Sequence, residues 1–160
     1  VQELSAMEVE TKKTRIVTSG ILVDNLNLLQ ILEENSMTIV GDDVVAESGQ
    51  YRTDAPVSGP SNLDRLVAKF TNTGDVSMLL DPERHRENAL VDLAKERRAD
   101  GVLIVLTKFC DPEEFDLPRL RKAVKDAGLK EVTIEADRQM DRFDQAQTAL
   151  ETFHDVLAYA

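Results

Sequence analysis

The sequence predicts an α/β fold, a three-layer sandwich with helices on both faces of a mostly parallel sheet of four or five strands. Three observations carry that expectation. Short β-branched runs alternate with segments of helical periodicity along the whole chain. One run, "GVLIVL" at Gly101–Leu106, is apolar without a break, as a strand covered on both faces must be. Cap and stop residues punctuate the alternation: Asp81 before Pro82 reads as a helix start, and Gly128 as a helix stop. Such a sandwich is Rossmann-like or flavodoxin-like in architecture.

Each element follows in order. "TRIVTSGILV" reads as a first strand, and "NLNLLQILEEN" as a helix with Leu22, Leu26, Leu29 and Leu32 at helical spacing. "MTIVGDDVV" is a second strand ending on an acidic loop. Residues 46–59, "AESGQYRTDAPVSG", form a polar loop of a length that usually signals function. "NLDRLVAKF" is a short helix entered through Ser61. "DPERHRENALVDLAKERRA" is a helix with Leu90, Leu93 and Ala94 on one stripe, followed by the strand "DGVLIVLTKF". "DLPRLRKAVKDAG" is a helix presenting Leu117, Leu120, Val124 and Ala127, with Asp111–Pro112 upstream as a second candidate start. "EVTIEAD" is the fourth strand, and the last helix carries Phe143, Ala146, Leu150, Phe153 and Leu157 on one face. "VSMLL" at Val76–Leu80 is a weak fifth strand candidate. The opening "VQELSAMEVETKK", residues 1–13, reads as a helix tail and connector from a preceding domain.

Composition narrows the function classes. With 160 residues, 42% hydrophobic and 31% charged, the chain is sized for one globular domain with a core that needs no staples. A formal charge of −11 opposes general nucleic-acid binding, which requires a positive footprint. No apolar run is long enough to cross a membrane and no signal-peptide pattern opens the chain. A single cysteine, Cys110, rules out an intrachain disulfide and suits a reducing, cytoplasmic compartment.

Ligands of open α/β sheets bind beyond the carboxyl ends of the strands. Those ends collect Ser19 and Gly20, then Asp42 and Asp43, then Lys108, Cys110 and Asp111, then Glu135 and Asp137. Asp42 and Asp43 read either as a chelating pair or as solvated loop residues. Arg52, on the long loop, reads equally as an anion ligand or as half of a structural salt bridge. Cys110 reads as a small apolar filler or as a ligand. His85 and His154 have no ligand-spaced partner, and no zinc pattern, GxGxxG or GxxxxGK[ST] occurs.

Four segments together narrow this further. "TRIVTSGILVDN", "VGDDVVAESGQYRTDAP", "DGVLIVLTKFCDPEEFDLPRLRKAVKDAG" and "TIEADRQMDRFDQAQTALETF" resemble, in order, the C-terminal half of 2-hydroxyacyl-CoA dehydratase subunits. That family includes 2-hydroxyglutaryl-CoA dehydratase and is akin to the ATP-dependent benzoyl-CoA reductases. The resemblance runs from about Lys13 onward and is most specific in "KFCDPEEFD…IEAD…QAQTALETF". The "GDD…ESGQYRTDAP" loop points to the beta-type subunit. By this resemblance, residues 14–160 are the C-terminal Rossmann-like domain of a longer subunit. That subunit is expected to pair with a homologous alpha-type subunit and to hold a 4Fe-4S cluster through cysteines. Cys110 matches one such cysteine; a second is expected near "GDVSMLLDP", where Val76 stands, and another in an N-terminal half.

The resemblance also implies the chemistry. A separate ATP-dependent iron–sulfur activator delivers one electron, an (R)-2-hydroxyacyl-CoA becomes a ketyl radical anion, and loss of hydroxide and a β-proton gives an enoyl ketyl, which returns the electron and leaves the 2-enoyl-CoA. A beta-type subunit is expected to relay or support rather than hold the substrate, and a 160-residue piece alone to be inactive. Two other readings stand beside this one: a benzoyl-CoA reductase-type subunit, and a non-catalytic, cluster-less scaffold or binding module.

Overall fold

The computed structural model describes residues 13–74, 85–137 and 139–159. Its chain order is β1 (Thr14–Gly20), α1 (Leu26–Glu34), β2 (Met37–Val44), a 3-10 turn (Ser48–Gln50), α2 (Asn62–Asn72), α3 (His85–Glu96), β3 (Gly101–Thr107), α4 (Asp111–Asp126), β4 (Lys130–Ala136) and α5 (Asp144–Ala158). The four strands form one all-parallel sheet in the order β2-β1-β3-β4. The expected three-layer α/β sandwich is therefore observed. The fifth strand candidate, the Asp81–Pro82 helix start and the helix tail over residues 1–12 lie outside the described residues.

Two cores flank the sheet. On one face α1 and α5 bring Leu28, Leu32, Leu150 and Phe153 against Ile16, Leu103 and Val105. On the other, α3 and α4 bring Leu90, Ala94, Leu120 and Val124 against Val17, Val102 and Ile104. β3 supplies both cores, which explains its uninterrupted apolar run. Gly101 opens that strand because a Cβ there would come within 2.6 Å of the Phe153 ring, so the glycine lets α5 close on the sheet.

Local signals set the helix starts. The Asn25 carboxamide accepts from the amides of Asn27 (3.0 Å) and Leu28 (3.4 Å), capping α1. Ser61 Oγ accepts from Asp64 N at 3.1 Å and caps α2 as expected. At the far end of α3, the Arg15 guanidinium donates to the carbonyls of Arg97 (2.7 Å) and Arg98 (3.1 Å).

One helix departs from the sequence expectation, and another resolves an alternative left open. In α1 the inward pair is Leu28 and Leu32, while Leu26 is 79% exposed. "NLLQIL" carries apolar residues on two overlapping stripes, and packing against β2 and α5 selects one. α4 begins at Asp111, the upstream one of its two candidate starts, with Cys110 as its N-cap residue and Pro112 in its first turn. Pro118 is absorbed inside the helix. It deprives only the Glu114 carbonyl of a helical donor, on a face open to water. α2 buries none of its side chains among the described residues, and Leu63, Leu66, Val67 and Phe70 all stand exposed. It is tied down by Arg65 Nε donating to Pro56 O (2.6 Å) and Lys69 Nζ donating to Gln50 O (3.2 Å).

Candidate functional site

From β1 the chain crosses to β2 on one side; from β3 it crosses to β4 on the other. The connections diverge between β1 and β3, so a crevice must open beyond their carboxyl ends. One wall is the end of β1. A Cβ at Gly20 would lie 2.5 Å from the Val105 carbonyl oxygen, so the glycine allows the β1 exit to run close against β3. The other wall is the turn Thr107–Cys110. A cavity of about 40 Å³ sits beside them, lined in part by Asp24, Asn25, Thr107 and Asp137.

The turn is tight and strained. Cys110 N donates to Thr107 O at 3.1 Å, closing a four-residue turn. Phe109, its third residue, sits at φ 63° with 92% of its surface exposed. Glycine or asparagine normally takes that place, and an aromatic there costs about 1–2 kcal/mol. The Cys110 thiol is free, half-buried and makes no capping bond of its own.

Beneath the turn lies a buried ionic cluster. Asp43 accepts from Ser19 Oγ (2.9 Å) and pairs with Arg86 Nε (3.3 Å) and Arg52 Nη1 (3.0 Å). Arg86 donates in addition to Ser19 Oγ (3.2 Å) and to Asp116 Oδ2 (3.2 Å). The cluster therefore joins the ends of β1 and β2 to the starts of α3 and α4. Glu113, also buried, accepts from Thr107 N at 3.0 Å. Desolvation raises its pKa above the ordinary 4.5, against hydrogen bonds from Thr107 and Ile21 and the charge of Arg86. Glu47 behaves alike: desolvation raises its pKa, opposed by the hydrogen bond its carboxylate accepts from Val23 N and reinforced by Asp42 and Asp24.

The residues expected at the rim thus divide. Ser19, Asp43 and Arg52 belong to the ionic cluster. Asp42 and Asp43 turn their carboxylates to different partners, and Asp43 is buried. Asp42 instead caps the following turn, accepting from Val44 N (3.3 Å) and Ser48 N (3.1 Å). Arg52, besides its ion pair with Asp43, wraps the loop by further bonds to Ser48 Oγ (3.1 Å) and Asp42 O (3.4 Å). Lys108 and Glu135 line a separate cavity of about 290 Å³ at the β4 edge, with Gln145 and Met140. Asp111 is exposed on the first turn of α4.

Sequence reasoning missed Arg86, Glu113, Asp116 and Glu47. Three of these carried a readable signal. Arg86 lies four residues before Leu90 on the stripe that ends at Ala94. Glu113 and Asp116 lie seven and four residues before Leu120. Extending each buried stripe back to the rim finds the charges.

Among the described residues no group of three or more His, Cys, Asp or Glu side chains is arranged to hold a metal. A 4Fe-4S cluster is held by cysteine thiolates, typically four. The donor chemistry here would fit one corner of such a cluster, through Cys110, and the other ligands would have to come from elsewhere. Nor, among the described residues, is any helix long and apolar enough to cross a membrane.

A parallel α/β domain with a thiol at its switch point is the class that fold and site define. Residues 1–157 match the family described as 2-hydroxyglutaryl-CoA dehydratase, D-component, and the chain belongs to that family. It is 45% identical over 158 residues to the (R)-phenyllactyl-CoA dehydratase beta subunit of Clostridium sporogenes, covering 98% of this chain and 42% of that protein. It is 34% identical over 146 residues to the beta subunit of (R)-2-hydroxyglutaryl-CoA dehydratase of Acidaminococcus fermentans, covering 89% and 38%. It is 32% identical over 143 residues to the beta subunit of lactoyl-CoA dehydratase of Anaerotignum propionicum, with the same coverages of 89% and 38%. The chain thus spans about two-fifths of the length of these relatives. The resemblance to dehydratase subunits, and to the beta type among them, is borne out.

Proposed function

We propose that this chain is a domain of the beta-type subunit of a heteromeric 2-hydroxyacyl-CoA dehydratase. That enzyme is a lyase taking an (R)-2-hydroxyacyl-CoA to the 2-enoyl-CoA, with a homologous alpha-type subunit and an ATP-dependent iron–sulfur activator as partners. Cys110 provides one thiolate to a 4Fe-4S cluster of the complete subunit. The observation that carries the reading is the kinship along nearly the whole chain with beta subunits of three dehydratases. The thiol's position at the switch-point crevice supports it. When bound, a cluster of this kind supplies one-electron chemistry. The chain's own residues hold the thiol: the Thr107–Cys110 turn presents it, and the Ser19–Asp43–Arg86–Asp116 cluster anchors the helix behind it. Lys108, Asp111 and Glu135, on the outer rim, are the side chains free to meet a partner or substrate. A lone free thiol suits a reducing, cytoplasmic setting.

One observation favours a second reading, a cluster-less supporting subunit: Val76 stands where a second cysteine is expected. Iron and sulfide content separates the two, measured on the anaerobically prepared complex with its alpha-type partner, native and Cys110→Ser. Loss of the beta-type subunit's share of iron in the variant supports ligation. Equal iron in both forms overturns it. Turnover of benzoyl-CoA in place of 2-hydroxyacyl-CoA would assign the complex to the reductase type instead.

A further inference from the structure

We infer that Glu113 is a positioning residue for Cys110: its buried carboxylate fixes the Thr107–Cys110 turn and thereby sets the exposure and direction of the thiol. The inference deepens the reading of Cys110 as a ligand and rests on it.

A turn that places an exposed aromatic at positive φ does not hold itself together; such strain persists only where the surroundings over-determine the backbone. Phe109 contributes no packing, since 92% of its surface is exposed. The restraint therefore has to act at the turn's ends. Lys108 N donates to Ala136 O (2.9 Å), which ties the turn to β4. The carbonyl of Thr107 is taken by Cys110 N (3.1 Å) and the carbonyl of Cys110 by Glu114 N (3.1 Å). The Thr107 amide, at the edge of the sheet, is taken by Glu113 Oε2 at 3.0 Å. Thr107 is thus held from both sides, once by the turn itself and once by Glu113.

Glu113 can do this because of where α4 puts it. Glu113, Asp116, Leu120 and Val124 share one helical face; its lower half is apolar and buried, its rim half carboxylate. Asp116 binds Arg86, and Arg86 binds Ser19 and Asp43. α4 cannot rotate or slide without breaking that linkage, so Glu113 reaches Thr107 from a fixed base. Cys110, the N-cap residue of the same helix, is held at one remove.

Because the chain has one cysteine, the thiol reports on its own turn. The test is the rate of modification by a soluble disulfide reagent in this 160-residue chain, metal-free and below its melting temperature. Glu113→Ala and Glu113→Asp, which cannot reach Thr107 N, are expected to react roughly ten-fold faster, the scale of one lost charge-assisted hydrogen bond. Glu113→Gln, which keeps an acceptor oxygen at the same reach, is expected to stay within about two-fold of native. Exchange of the Thr107 amide should rise with the same variants. Leu120→Ala, a destabilised α4 with the turn intact, is the control. Should Glu113→Ala fail to fold, the Asp and Gln variants decide the matter by themselves. A native rate in Glu113→Asp, a fast rate in Glu113→Gln, or equal acceleration in Leu120→Ala overturns the inference. None of these readings depends on iron, so failure here leaves the cluster assignment to its own test.

Discussion

Replacing Arg86 by methionine removes the cation that touches Asp43, Asp116 and Ser19 together. Methionine fills similar length without charge, so the perturbation is mainly electrostatic. Arg86 and Asp43 expose only 8% and 5% of their side chains, so solvent screens this pair little. Removing one member of such a pair typically costs about 3–5 kcal/mol, because the other is left buried and uncompensated. Here Arg52 still lies 3.0 Å from Asp43 Oδ1, and Asp116 is 35% exposed and can turn to water. The lower end, about 3 kcal/mol, is therefore expected for Arg86→Met, or roughly 6–12 °C in Tm for a chain of this size. The decisive comparison is Arg86→Met with Asp43→Asn, singly and together. Once the carboxylate is gone the methionine has less to strand, so the double variant should be more stable than the sum of single losses by about 1–3 kcal/mol. Urea unfolding with a shared m-value measures it. Additivity within about 0.5 kcal/mol would show that Arg86 does not compensate Asp43, and the cluster would lose its role as the anchor of α4.

Two further outcomes follow from the turn and its clamp. Phe109→Gly should be neutral or stabilising by up to about 1 kcal/mol, since glycine removes the positive-φ penalty and loses only chain entropy. Phe109→Val should destabilise, and a melt of both variants checks the pair. For pH, the pKa of Glu113 is raised on folding from 4.5, so the folded chain holds its proton where the unfolded chain has already lost it. Stability from this group is therefore present below 4.5 and is lost as pH rises from there through the folded value. Glu113→Gln should flatten that fall in a pH series of urea midpoints, leaving the part with the same sign that belongs to Glu47. A variant whose slope equals the native one would show that Glu113 is not the group being desolvated.

The sheet and the helix order were legible because buried strands and amphipathic helices leave periodic marks. "GVLIVL" could only be a doubly covered strand, and Phe143, Ala146, Leu150 and Phe153 face inward as their spacing requires. The rim was legible as a place and much less as a mechanism. Cys110 was found at the strand end, just ahead of a candidate helix start, but two proline signals, Pro112 and Pro118, left open which start α4 uses. Arg86 and Glu113 were missed because charge is ordinarily read as solvent-facing. Their positions on the apolar stripes outweigh that rule, since a stripe running to the sheet's carboxyl edge meets exposed N–H groups and carboxylates rather than oil.

The pair Asp42–Asp43 shows why residue type was readable and residue role was not. From Thr14 to Ile16, β1 pairs with β2 at an offset of 23, Ile16 opposite Ile39. Val17 then pairs with Gly41, so Val40 is the extra residue of a bulge and the offset becomes 24. Without the bulge, Ser19 would stand opposite Asp42, and every later side chain of β2 would change faces. With it, Asp43 shares the face of Ser19 and meets Arg86, while Asp42 turns away to cap the loop at Ser48. Nothing in "TIVGDDVV" announces that one-residue shift, although Gly41 is placed where it happens. A Cβ at Gly41 would lie 3.1 Å from the Arg97 side chain and 3.4 Å from Leu93. The choice of which aspartate is buried propagates outward. Asp43 holds Arg86, Arg86 holds Asp116, and Asp116 stands on the helix that Cys110 caps, so a shift in an edge strand fixes the base from which the thiol is presented.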